Sequence, residues 1–180
     1  GFRQKELGQE CFLFAPAGYA ETIDQAIKGQ IRSHRWNPLD CVSRSDLLRE
    51  TDLAKIAAIL IPASDDPIWS DSARNLFVGL GLYLLDKERF HLEQKAKGHN
   101  VPDVLVSISA ILKTSVPDGG KDLAAWMGQE IENRSWISDK TKSFFFKFMS
   151  APDRTRGSIE TNFSSPLSIF SNPITAEATN

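Results

Sequence analysis

The segment of residues 70–88, SDSARNLFVGLGLYLLDKE, constrains the fold more than any other part of the chain. Beyond Leu76 its apolar residues cover almost the whole circumference of a helix, and such a helix must be surrounded by other elements. The uninterrupted apolar run, residues 76–85, is only ten residues long, whereas a helix needs about 20 to cross a bilayer. The segment therefore predicts the central helix of a bundle, in which Gly79 and Gly81 permit close contact with neighbouring helices.

Capping and breaker residues predict further helices on both sides of this segment. The predicted helices cover residues 45–61, 102–115, 121–134, 138–150 and 153–173, with starts at Ser45 or Asp46, at Pro102 or Asp103 and at Ser138 or Asp139. The polar residues 89–100 predict a loop, Pro166 is expected to kink the last helix, and the tail from residue 174 looks untethered. The expected fold is therefore mainly α, a helical bundle of about six or seven helices.

The apolar run CFLFAP, residues 11–16, predicts one buried strand ahead of the helices. A single strand can neither satisfy its backbone groups nor bury both of its faces. It therefore either pairs with a sheet that this chain lacks or lies irregularly along the bundle. Because the chain also begins at Gly1, without a methionine or a signal peptide, we expect a helical insert cut from a larger α/β protein.

The motif WNPL, residues 36–39, places a large side chain directly before an Asn-Pro pair that cannot run inside a helix. We expect a sharp bend whose Trp36 side chain packs on the core. Trp69 is expected to play the same part at the start of the central helix. The predicted structural anchors are therefore Trp36, Asn37, Pro38, Leu39 and Trp69.

The sequence shows no constellation typical of catalysis or metal binding. Gly119-Gly120-Lys121 lacks the strand–loop–helix context of a phosphate-binding loop, and the three histidines are not at metal-ligand spacing. Cys11 and Cys41 form no C-x-x-C pair and predict neither a zinc site nor a disulfide framework. We therefore expect no catalytic residue, cofactor or metal in this chain, and no enzymatic activity of its own.

Charge is distributed unevenly along the chain. Residues 46–133 carry 9 basic and 14 acidic side chains, a net charge of −5, against −2 for all 180 residues. Such an acidic stretch is either an ordinary solvated face or a docking surface for a basic partner. The candidate cargo-binding residues surround the predicted helix 121–134, most of them off its apolar stripe and expected to face water: Asp118, Asp122, Glu130 and Glu132.

The late helices mix basic and aromatic side chains, a composition typical of grooves that bind single-stranded nucleic acids. Phe144, Phe145 and Phe148 share one helix face, however, which is ordinary core spacing. The lysines nearby are then either solvated or available to a phosphate backbone. The candidate DNA-binding residues are Lys140, Lys142, Lys147, Arg154 and Arg156.

Taken together, these segments resemble the type IV secretion coupling proteins, the TraG/TraD-like ATPases of conjugation and effector export. The resemblance covers nearly the whole chain: the apolar strand, WNPL, IAAILIP, DPIWSDSARNLFVGLGLYLL and RGSIETNFSSPLSIFSNPITAEAT at 156–179. Its most specific part is WNPL followed by the P-x-W-x-x-x-A-R spacing, here Pro67, Trp69, Ala73 and Arg74.

The resemblance implies a particular architecture. In the family, an all-α domain is inserted between the two nucleotide motifs of a RecA-like α/β motor, which an N-terminal segment anchors in the bacterial inner membrane. ATP and Mg²⁺ would belong to the parent protein and its homo-hexamer, whereas this chain alone would be a monomer without cofactor. Residues 1–44 would be an arm and bend leading out of the motor sheet, 45–172 the all-α domain and 173–180 the exit tail.

The resemblance also implies partners. The family's all-α domain faces the cytoplasm, where it is thought to receive relaxase bound to DNA, or effector proteins whose C-terminal signals are often basic, alongside other secretion-system components. Cargo recognition is the function expected first. Direct contact with DNA is the alternative, and a structural cap of the hexamer without cargo contact is a third possibility.

Overall fold

The computed structural model describes residues 2–8 and 35–180, and within them the chain is mainly α, with no strand. The predicted strand at residues 11–16 lies outside the described residues, as does residue range 9–34 of the predicted arm 1–44. Three short 3-10 helices occupy Pro38–Cys41, Asp118–Gly120 and Ser168–Ser171. The α-helices are α1 (Phe2–Leu7), α2 (Arg49–Leu60), α3 (Pro67–Ala96), α4 (Ile108–Thr114), α5 (Leu123–Asn133), α6 (Asp139–Met149), α7 (Asp153–Leu167) and α8 (Pro173–Ala178).

Helix α3 is the centre of the bundle, as its sequence predicts. All of its residues from Leu76 to Asp86 are buried, and α2, α4, α6 and α7 pack around it. A Cβ on Gly79 would lie 2.9 Å from the Cβ of Phe144, and one on Gly81 would lie 2.9 Å from a methyl of Leu53. The two glycines therefore allow α6 and α2 to approach the α3 backbone. No helix of the described residues combines the length and apolar character needed to cross a bilayer.

Helix α3 is longer than predicted, because the polar stretch expected to be a loop continues it to Ala96. Tertiary contacts hold this extension: Arg89 pairs with Asp46 at 3.1 Å, and Lys95 pairs with Asp103. Its start is also earlier, at Pro67, where the Asp66 carboxylate accepts a hydrogen bond from the backbone of Ile68 at 3.1 Å.

Two other helices begin later than predicted. Helix α2 starts at Arg49, because Ser45 closes a preceding turn, its carbonyl accepting bonds from the backbone N–H groups of Leu48 and Arg49 at 3.1 Å each. Helix α4 starts at Ile108, where Ser107 caps it by accepting a bond from the Ala110 N–H at 3.2 Å. The predictions at Ser45 or Asp46 and at Pro102 or Asp103 were therefore wrong by several residues.

The WNPL bend is anchored by Asn37 and Leu39, both buried. The Asn37 amide donates to the Val106 carbonyl at 2.7 Å and to Asp40 at 2.9 Å, and its oxygen accepts from the Leu39 N–H at 3.1 Å. The expectation that the Trp36 side chain packs on the core was wrong, since it is 53% exposed. The buried positions of the bend are occupied by Asn37 and Leu39, and Trp36 contributes a hydrogen bond from its backbone N–H.

The C-terminal tail is tethered, contrary to the sequence prediction. Helix α7 contains Pro166 in its last turn and ends at Leu167, a 3-10 helix begins at Ser168, and α8 follows. Ala178 and Thr179 are buried. The tail meets the start of the described domain: the Trp36 N–H donates to the Ala178 carbonyl at 2.9 Å, and Arg35 pairs with Glu177 at 2.7 Å.

A buried carboxylate joins three helices. One oxygen of Asp86 in α3 accepts bonds from Arg49 of α2 at 2.7 Å and from Arg89 at 3.2 Å. The other accepts from the Ser138 N–H at 2.9 Å and the Thr141 hydroxyl at 2.7 Å, at the start of α6. Every bond is charge-assisted and the Asp86 side chain itself is fully buried, so this carboxylate fixes α2 and α6 against α3.

We expect Asp86→Ala to lower the free energy of unfolding by about 3 kcal/mol or more, because it removes a partner from the buried Arg49 guanidinium. Urea unfolding followed by circular dichroism measures the change. Asp71→Ala is the control, since it removes a carboxylate that is 64% exposed and pairs with Arg74 at 3.3 Å, and should cost about 0.5 kcal/mol or less. Equal losses for the two variants would contradict the structural role of Asp86.

Candidate functional site

A groove of about 580 Å³ lies between α3, α4 and α5. Helix α3 contributes one wall, α4 and the following turn contribute the second, and α5 with the loop after it contributes the third. Its aromatic lining is Tyr83, Phe90, Trp126 and Trp136. We refer to this surface as the aromatic groove.

The aromatic side chains of the groove pack against one another. The Tyr83 ring centroid lies 5.2 Å from that of Trp126, with the planes at 75°, and 5.4 Å from that of Trp136. Phe90 stacks on Trp136 at 5.7 Å and 19°. Edge-to-face and offset contacts of this kind are the favoured aromatic geometries. The rings therefore support each other and form a preorganised apolar surface.

A tyrosine–glutamate hydrogen bond connects α3 to α5 inside the groove. The Tyr83 hydroxyl donates to Glu130 at 2.8 Å, and Arg134 donates to the same carboxylate oxygen at 3.4 Å. Burial raises the pKa of the Tyr83 hydroxyl, and the bond to the Glu130 carboxylate raises this pKa further. The hydroxyl therefore stays protonated, and remains a donor, at neutral pH.

The candidate acidic residues do not form one patch. Asp118 and Glu130 line the groove, whereas Glu132 is exposed outside it. Asp122 caps α5, its carboxylate accepting a bond from the Ala125 N–H at 3.0 Å. The expectation that Glu130 faces water was wrong, since its side chain is 15% exposed. It lies four residues after Trp126, and so falls on the apolar stripe of α5.

The candidate basic residues are mostly engaged in local pairs. Lys140 pairs with Glu50 at 2.7 Å and Lys142 with Asp139 at 3.3 Å. The Arg156 guanidinium donates to the Ala151 carbonyl at 2.8 Å, and so satisfies the end of α6. Arg154 is exposed, and the Lys147 ammonium lies 5.4 Å from the centroid of the Phe144 ring. The structure therefore does not assemble these five cations into a continuous basic strip.

The phenylalanines of α6 divide between the core and the surface. Phe145 and Phe148 are buried, as their spacing predicts, and Phe144 is partly buried against the core. Phe146 is 53% exposed and lines a hollow of about 560 Å³ together with Lys142 and Lys147. On this outer face of α6, an exposed aromatic ring therefore lies beside two of the candidate lysines.

The sequence did not indicate the aromatic groove. By its spacing Trp126 belongs to the apolar stripe of the predicted helix 121–134, together with Leu123, Met127 and Ile131, and Phe90 falls in the stretch predicted to be a loop. The available signal was the seven-residue spacing of Tyr83 and Phe90, which puts both on one face of a continuous helix. Within residues 2–8 and 35–180, no group of histidine, cysteine, aspartate or glutamate side chains is arranged to hold a metal ion.

The family model for type IV secretory system conjugative DNA transfer matches residues 27–180. The chain belongs to this family. The match includes the whole aromatic groove and confirms the resemblance to the coupling proteins of type IV secretion. A comparison with curated proteins finds no match.

The residues that carry the family resemblance have structural positions in the fold. Pro67 opens α3, Trp69 is partly buried in its first turn, and Ala73 is fully buried. Arg74 donates to the Ile61 carbonyl at 3.0 Å, directly after the end of α2. The P-x-W-x-x-x-A-R spacing therefore sets the corner between α2 and α3.

We expect charge reversal to lower the stability of the folded chain by different amounts at the four candidate acidic residues. Glu130→Lys leaves the buried Tyr83 hydroxyl without its acceptor and should cost about 1–3 kcal/mol, and Asp122→Lys should cost about 1 kcal/mol by removing a helix cap. Asp118→Lys and Glu132→Lys change exposed groups and should stay within about 0.5 kcal/mol. Urea unfolding of the four variants checks this order, and uniform behaviour would contradict it.

Tyr83 should resist ionisation in alkaline solution. A tyrosine in water has a pKa of about 10, and a raised pKa in the folded state means that Tyr83 adds stability below that pH, which is lost as the pH rises through the folded pKa. Phenolate absorbance of the Tyr19→Phe variant, in which Tyr83 is the only remaining tyrosine, measures it. Glu130→Gln should lower this pKa, since it removes a negative charge. Titration of Tyr83 near the ordinary value in the folded parent would contradict the hydrogen bond from its hydroxyl to Glu130.

Proposed function

We propose that this chain is the cargo-recognition domain of a type IV secretion coupling protein and that the aromatic groove receives a segment of the transferred protein, a relaxase or an effector. The observation that carries the proposal is the groove itself. It has a preorganised aromatic lining and a volume of about 580 Å³, within the usual range of about 300–1,000 Å³ for ligand pockets. Tryptophan and tyrosine are also the residues that most often dominate protein interfaces.

The charges of the described residues favour protein over DNA as the partner. DNA binding depends on cations that can replace counterions along a phosphate backbone. Of the five candidate cations, Lys140, Lys142 and Arg156 already have carboxylate partners within 3.3 Å. Residues 46–133, which supply most of the groove lining, carry a net charge of −5.

Direct DNA contact is a second candidate function, supported by the outer face of α6. The exposed Phe146 ring offers a stacking surface, and Lys142 and Lys147 lie beside it. Exposed aromatic rings with nearby cations are the elements of single-strand binding. Under this alternative, Phe146→Ala and Lys147→Glu would each weaken the binding of single-stranded DNA.

The family supports a setting for either function. We propose that the domain works on the cytoplasmic face of the bacterial inner membrane, as part of a hexameric parent ATPase that binds ATP and Mg²⁺ elsewhere. A structural cap of that hexamer without cargo contact is the third reading, and it would leave the aromatic groove without a ligand.

The proposal is tested by blocking the groove from its rim. Val116 lines the groove and is 73% exposed, so Val116→Trp should fill the opening without disturbing the core. The purified relaxase and effectors of the same transfer system are titrated against the immobilised chain. We expect the variant to bind cargo about tenfold more weakly, a loss typical of one disrupted hot-spot contact, with an unchanged urea midpoint.

Ile59→Trp is the matched control, because Ile59 is 80% exposed on α2, which does not line the groove. It should bind cargo like the parent. Cargo binding that survives Val116→Trp would reject the groove as receptor. Strong binding of single-stranded DNA that is lost on Phe146→Ala would favour the outer face of α6 instead.

A further inference from the structure

We infer that the segment received by the aromatic groove is acidic as well as apolar: a peptide in which carboxylates alternate with large apolar side chains. This inference rests on the proposed function and adds the chemistry of the ligand. It reverses the expectation of a basic cargo tail, and it depends on which charges of the groove remain available.

The charges that line the groove fall into two groups. Glu130 and Arg134 are joined at 3.4 Å, and Glu130 also accepts the Tyr83 hydroxyl bond, so these two charges neutralise each other. The remaining charged side chains are Lys87, Lys113 and Asp118. No ion pair engages any of these three among the described residues. Because two ammonium groups and only one carboxylate remain unpaired, the available charges of the groove have a net positive sum.

The two lysines lie on different walls. Lys87 is four residues after Tyr83 on α3, on the same helix face. Lys113 lies on α4, and both line the groove together with Trp126 and Trp136 of the third wall. A bound peptide therefore meets aromatic rings with an ammonium group on each of two sides. Apolar side chains suit the rings, and carboxylates suit the lysines.

The surface around the groove has the opposite charge to the groove itself. Residues 46–133 have a net charge of −5, so a basic peptide would be attracted to much of this surface without preference for the groove. The exposed carboxylates of Asp122 and Glu132 lie outside the groove lining. An acidic peptide, in contrast, can pair with only a few unpaired cations of residues 46–133. Two of these cations, Lys87 and Lys113, line the groove. Local charge complementarity of this kind directs both orientation and specificity.

The size of the groove fits a short extended segment. Its volume of about 580 Å³ accommodates a few side chains but no folded domain. The occupant is therefore a linear stretch, such as a terminus or an exposed loop of a transferred protein.

Three labelled peptides test the inference by fluorescence anisotropy against the 180-residue chain. The first alternates leucine with glutamate, the second alternates leucine with lysine, and the third alternates serine with glutamate. We expect the first to bind at least about tenfold more tightly than either of the others, since only it matches both the rings and the lysines. Its affinity should fall as salt is added, because Lys113 is exposed to solvent and Lys87 is partly exposed.

Charge reversal within the groove identifies the lysines. Lys87→Glu and Lys113→Glu should each weaken binding of the leucine–glutamate peptide by about threefold or more, the scale of an exposed ion pair. Lys97→Glu is the control: Lys97 is an exposed lysine that follows the end of α3, carries the same charge change and does not line the groove. It should leave the affinity unchanged.

The outcomes separate this inference from the proposed function. Stronger binding of the leucine–lysine peptide, or equal effects of Lys97→Glu and Lys113→Glu, would overturn the acidic ligand. If Val116→Trp still blocks the cargo protein in that case, the groove remains the receptor and only its ligand chemistry was wrong. If Val116→Trp affects neither cargo nor peptide, the proposed function fails together with the inference.

Discussion

The fold depends on one carboxylate that water does not reach. Asp86 accepts four hydrogen bonds, from Arg49, from Arg89 and from the backbone and side chain at the start of α6. A buried charge is tolerated only while its partners remain in place, so this residue restricts how α2 and α6 can sit on α3. The same helical turn also presents Tyr83 and Lys87 to the aromatic groove. The Asp86 hydrogen-bond network and the aromatic groove therefore depend on the same stretch of α3. A shift of that stretch would displace both.

Local signals in the sequence were sufficient for the centre of the bundle. The apolar circumference of residues 76–85 and the two glycines predicted a surrounded helix, and the Ser138 cap predicted the start of α6, as the structure confirms. The C-terminal third of α3 was missed for a physical reason. Its residues are mostly polar, and they are held in the helix by pairing with Asp46 and Asp103, partners at a separation that no periodicity reveals.

The candidate site was less predictable, because it is assembled from three helices in a specific register. Glu130 looked like a solvated carboxylate, but its partner is Tyr83, 47 positions earlier. Trp126 belongs to an apolar stripe and yet leaves part of its ring at the groove, next to Trp136. The sequence identified charged residues but could not show which of them were already satisfied, and that distinction decides whether the site suits a basic or an acidic ligand.

The two ends of the described domain are joined side by side. The Trp36 backbone bonds to Ala178, Arg35 pairs with Glu177, and Asn180 accepts a bond from Ser109 at 2.6 Å. Mechanically, a pull that separates residues 35 and 180 loads these few contacts before it stretches any long helix. Since the Ser109 and Asn37 bonds both hold the segment at the start of α4, strain that separates the two ends also acts on the helix that forms one wall of the aromatic groove.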